Sequence, residues 1–89
     1  MGLPIVRSLA GRDKGALFCV VGTEGAYLLL CDGKRRRVER PKRKKAVHTA
    51  PAGETRHPCP EESRAGGQLS DRAIRRALAA FRADELRRV

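Results

Sequence analysis

The side chains of this chain that could do chemistry are nearly all cations. Positions 34–45 read Lys34-Arg35-Arg36-Arg37-Val38-Glu39-Arg40-Pro41-Lys42-Arg43-Lys44-Lys45, nine basic residues with Glu39 as the lone counter-charge. A solvated face normally interleaves both signs. Here the self-repulsion is left for a bound polyanion to relieve, and nucleic acid is the first partner such a field favours. A nuclear-localisation tract and a polybasic membrane patch are the rival readings. A second basic group, Arg12 and Lys14, lies in the glycine-bounded loop Gly11-Arg12-Asp13-Lys14-Gly15 between two apolar runs. Gly15 there would supply a positive φ angle or a close backbone approach. By itself this loop reads equally well as an ordinary turn with solvated charges.

Other chemistries find little support. No serine or cysteine sits in a recognisable nucleophile context, and Asp13, Glu24 and Asp32 look like turn residues. His57 and Cys59 are two apart in a proline-rich stretch, and no CxxC pair exists, so a structural zinc site lacks its ligand spacing. The expectation is no enzyme, no cofactor and no metal. Phe18, Tyr27 and Phe81 are the only aromatics. Phe18 and Phe81 read as core and Tyr27 as a weak stacking candidate, which points to phosphate and shape recognition with little base reading.

A fold of 89 residues must hold these cations in place. That is one small domain, with little room for a deep cleft. The net charge is +10, and 12 of the 20 basic residues fall in the first 50 positions against 4 of the 10 acidic ones, which places the anion-binding surface there. Cys19, Cys31 and Cys59 are too few for a disulfide framework. Cys19 and Cys31, inside apolar runs, behave as small hydrophobes in a reducing cytosol. No apolar run approaches a membrane span and no signal peptide is visible, so a cytoplasmic protein is expected.

Residues 3–50 read as β. Ile5-Val6 make a first strand, residues 16–21 and 26–31 make the next two, and residues 35–40 and 46–48 follow. Residues 22–25 are a turn signal and Asp32-Gly33 a hairpin signal. Short strands separated by glycine turns argue for a small barrel or sandwich. In the basic tract, strand alternation turns Val38 inward and places Arg35, Arg37 and Glu39 outside. Residues 51–68 have a linker composition. Residues 69–86 read as a helix capped by Ser70, with Asp71 in its first turn and a Leu69–Ile74 staple. Ile74, Ala77, Leu78 and Phe81 form its apolar stripe, flanked by Arg72, Arg75, Arg76 and Arg82. A helix this short needs a surface to pack on, either its own barrel or a second copy.

From Val6 through the GRDKG loop to Val21, on through Tyr27 and Asp32-Gly33, then Arg40-Pro41-Lys42-Arg43-Lys44-Lys45 and Val47-His48-Thr49, the chain resembles the bacterial KOW-domain RNA-binding proteins. These are similar to the fourteen-e type of large-subunit ribosomal protein. The resemblance covers roughly residues 4–50. It implies an SH3-like barrel and an RNA partner, ribosomal RNA first, with Gly11, Arg12, Lys14 and Gly15 in the loop and Lys42, Lys44, Lys45 and His48 near the last strand. It does not reach the linker or the helix.

The fold expected is therefore mainly β: a small SH3-like, KOW-type barrel over 1–50, a flexible Pro/Gly-rich linker over 51–68, and an amphipathic C-terminal helix over 69–89. The function expected is recognition of structured, ribosomal RNA by Arg12, Lys14, Lys34, Arg35, Arg37, Arg40, Lys42, Arg43, Lys44, Lys45 and His48. Gly11 and Gly15 would shape the loop. No membrane and no small-molecule substrate are expected. The alternatives are an adaptor in a transcription or translation complex, docking through the barrel and the Ile74/Leu78/Phe81 stripe, and a DNA-binding protein.

Overall fold

Leu17, Phe18, Cys19 and Val20 are all buried, on both faces of one strand. A strand covered on both faces reads as an unbroken apolar run instead of an alternating one. The computed structural model, which describes residues 2–55 and 70–87, provides both covers. Five strands, β1 (Pro4–Ser8), β2 (Leu17–Glu24), β3 (Tyr27–Cys31), β4 (Lys42–Lys45) and β5 (Thr49–Glu54), form one antiparallel sheet in the order β4-β3-β2-β1-β5. A 3-10 turn, Ala46–His48, joins β4 to β5. The helix α1 (Asp71–Arg87) completes the fold, which is mainly β with one C-terminal helix, as expected.

The register places Cys19 opposite both Ile5 and Cys31. The side chains on that face, Ile5, Leu17, Cys19 and Cys31, cluster with Ile74 and Leu78 of α1. Val6, Phe18, Val20 and Leu30 form a second cluster. Shifts in register after Val20 in the β2–β3 pairing and between Ile5 and Val6 in the β1–β5 pairing mark bulges, which increase local twist and bend the sheet.

The helix docks on its own sheet. Ser70 Oγ accepts the Ala73 N–H at 3.0 Å as the expected cap. Ala73, Ile74 and Leu78 are fully buried, and Phe81 packs in part against the same cluster. Burying three large apolar side chains stabilises by about 4–8 kcal/mol before ordering costs. Gly53 makes room for Phe81: a Cβ there would lie 2.7 Å from its ring. Polar contacts fix the helix's placement. Asp71 Oδ1 accepts the Val38 N–H at 2.8 Å, Arg75 donates to the Gly33 carbonyl at 2.8 Å, and Arg7 reaches Glu85 at 3.3 Å.

Several expected boundaries move. β2 continues through residues 22–24, and only Gly25 and Ala26 turn; the bulge absorbs the extra residue. Asp32-Gly33 opens a ten-residue loop, 32–41, instead of a tight hairpin. Asp32 Oδ1 accepts the N–H groups of both Lys34 and Arg36 at 2.9 Å, and the Arg36 carbonyl accepts from Asp32 and Gly33. The carboxylate thus gives this backbone an alternative to a strand ladder. Residues 46–48 are the 3-10 turn, not a strand. The expected linker is strand as far as Glu54, and buried Thr55, just past β5, exchanges hydrogen bonds with Leu3. The rest of that linker, Leu69, and the His57/Cys59 pair lie outside the described residues. Among the described residues no helix is long and apolar enough to cross a membrane.

Candidate nucleic-acid interface

The loop of residues 11–15 is built around Asp13. Ser8 Oγ donates to Asp13 Oδ1 at 2.9 Å, Lys44 Nζ donates to the same oxygen at 3.1 Å, and Lys42 Nζ donates to Oδ2. Lys44 Nζ also reaches the Ala10 carbonyl at 2.7 Å. Burial pushes the Asp13 carboxyl up, but the hydrogen bonds from Lys42, Ser8 and Lys44 push it down by more, holding it well below the usual carboxylate range. The hub sews the loop to β4. Gly15, at φ 89° with open space around it, supplies the left-handed residue the loop requires. Arg12 and Lys14 project, exposed, from either side of Asp13.

The loop of residues 32–41 comes alongside. Arg12, Lys14, Arg35, Arg36 and Lys42 line one groove of about 640 Å³ together with Asp13 and Asp32, over a floor that includes Phe18. Five cations thus face two carboxylates. Asp13 is satisfied by its lysines, and Asp32 accepts from backbone amides. Arg12, Lys14, Arg35 and Arg36 have no carboxylate partner among the described residues. Four exposed guanidinium or ammonium groups converge on one concave surface, which suits successive phosphates.

The other expected binding residues divide. Lys42 and Lys44 share the inward face of β4 and are committed to Asp13, with side chains 25% and 10% exposed. Their first task is to hold the loop. Arg43, on the opposite face, pairs with Glu24 at 3.1 Å and lies 4.7 Å from the centroid of the Tyr27 ring, so the one stacking candidate is already covered on one side. Lys45 and His48 are exposed at the β4 end and on the 3-10 turn. Arg35, Arg37 and Arg40 line a smaller depression of about 470 Å³ with Arg36 and Glu39. Lys34 faces away from the groove, toward α1.

Sequence reasoning missed Arg36. Strand alternation gives it the same face as Val38, but the loop breaks that alternation, and Arg36 is exposed while Val38 packs on the core. Cys19 and Cys31 are buried and free, and burial pushes both thiols up to about 12. Among the described residues, no three His, Cys, Asp or Glu side chains gather into a group that could hold a metal. No known family model and no curated protein matches the chain.

Proposed function

We propose that the chain is an RNA-binding module whose groove between the 11–15 and 32–41 loops seats the phosphate backbone of a structured RNA, ribosomal RNA being the first candidate. The observation that carries this reading is the convergence of Arg12, Lys14, Arg35 and Arg36, from two segments about twenty residues apart, on one groove, with no carboxylate paired to any of the four among the described residues. Phe18, the one aromatic lining the groove, is buried in the core and offers no open stacking face, so the groove favours phosphate geometry over base identity. The KOW-type resemblance points to the same partner.

The adaptor reading loses one of its two surfaces, because the Ile74/Leu78/Phe81 stripe is covered by the sheet. RNase treatment of a lysate before sizing separates the two. Collapse of a large complex to the free protein is expected for an RNA partner, and a complex that survives supports the adaptor. Competition with duplex DNA distinguishes the DNA-binding alternative.

A further inference from the structure

A second basic groove lies on the other side of the 32–41 loop. Lys34 meets α1 there, and Arg75, Arg76 and Arg82 complete a depression of about 330 Å³. Asp32 lines both this groove and the first one. Consecutive residues of the loop therefore splay apart: Lys34 lines the helix side, and Arg35 and Arg36 the sheet side. The loop is a basic wedge with a cationic track along each flank.

Three features mark the helix-side track as built for an anion. Ala79 sits between Arg76 and Arg82 on the helical surface and keeps the space between them open. Arg72 lies three and four residues before Arg75 and Arg76, spacings at which like charges destabilise a helix unless a counter-charge arrives. No acidic residue of the helix lines this depression: Asp71 caps the loop at Val38, Glu85 faces Arg7, and Asp84 lies 3.9 Å from Arg87.

The aromatic residues then favour a class of RNA. Phe18 is buried, Tyr27 lies under Arg43, and Phe81 packs over Gly53. A single strand is usually held by stacking its bases on exposed aromatic rings. A duplex offers no free bases. It presents two phosphate backbones flanking a wide, shallow minor groove and is recognised by shape. We infer that the helix-side groove is a second phosphate track, so that the 32–41 loop sits between the two backbones of a double-stranded RNA segment. This rests on RNA being the ligand of the first groove.

The test uses the full chain with two labelled probes, an RNA duplex of about 16 base pairs and an unstructured single strand of the same length. Affinity is measured across a salt series. The variant is Arg76→Ala with Arg82→Ala, both exposed; Arg75 is left intact because it anchors Gly33. The variant should lose about 1.8 from the magnitude of the duplex salt slope, two contacts at about 0.9 each, and keep its single-strand affinity. Arg76→Lys with Arg82→Lys should restore the duplex slope, which a folding defect would not allow. A duplex slope equal to wild type overturns the second track and leaves the first groove standing. Wild-type protein that binds neither probe, or binds only anionic lipid vesicles, overturns the RNA reading and the second track together.

Discussion

Asp13→Asn removes one charge and almost no volume, and it asks whether the Asp13 hub holds the groove's first loop. Three donors meet at this carboxylate: Ser8 Oγ at 2.9 Å, Lys44 Nζ at 3.1 Å and Lys42 Nζ. A hydrogen bond to a charged group contributes about 1.5–3 kcal/mol. The lysine side chains are 10% and 25% exposed, so water screens them only in part. The asparagine oxygen can still accept one bond. The net loss expected is about 2–4 kcal/mol, a large share of the ~4–13 kcal/mol typical of a chain this long. It corresponds to a fall of about 10–25 °C in melting temperature. The pH dependence has a definite sign. The folded-state carboxyl lies below its unfolded value, so its stabilisation is complete above the ordinary carboxylate range and is lost as pH falls through the folded value. The gap between wild type and variant should be full at pH 7 and close progressively below about pH 4. Thermal melts of both proteins from pH 7 to pH 2 give the answer. Equal melting at neutral pH, or a gap that does not change with acid, would refute the hub.

Leu78→Ala should destabilise by about 2–5 kcal/mol, since Leu78 is fully buried against the sheet; an unchanged denaturant midpoint would mean the helix does not dock. Gly15→Ala and Gly33→Ala both force a side chain into positive φ, but only at Gly33 would the new Cβ strike the helix, 2.4 Å from the Asp71 carbonyl oxygen. Gly33→Ala should therefore melt well below Gly15→Ala, and the reverse order would contradict the packing of α1 on the 32–41 loop. Cys19 and Cys31, buried with thiols pushed up to about 12, should react with a thiol reagent at pH 8 only as fast as the protein opens. Labelling at the rate of an unfolded control would count against the core described.

Much of this was legible because local rules act strongly at those places. The strands at residues 16–21 and 26–31, the left-handed Gly15, the Ser70 cap and the apolar stripe each follow from residue types a few positions apart. What escaped the sequence depended on distant partners. Lys42 and Lys44 look like free phosphate ligands until β4 is placed beside the 11–15 loop, where Asp13 claims them. Arg36 is hidden by an alternation that holds only if residues 35–40 are a strand. Charge counted along the chain placed the anion-binding surface in the first half, yet the docked helix carries Arg75, Arg76 and Arg82 to Lys34. Residues 51–54 have turn-forming composition but pair with β1, whose edge would otherwise be left open.

The most direct test of the RNA reading is the salt dependence of binding to a structured ribosomal RNA fragment, measured for wild type and for the variant R12A/K14A/R35A/R36A. All four side chains are exposed, so the variant should keep its melting temperature. If they neutralise phosphates, removing them should take about 3 from the magnitude of the slope of log affinity against log salt, each contact contributing roughly 0.7–0.9. A folded variant whose affinity and slope match wild type would contradict the assignment of this groove to RNA.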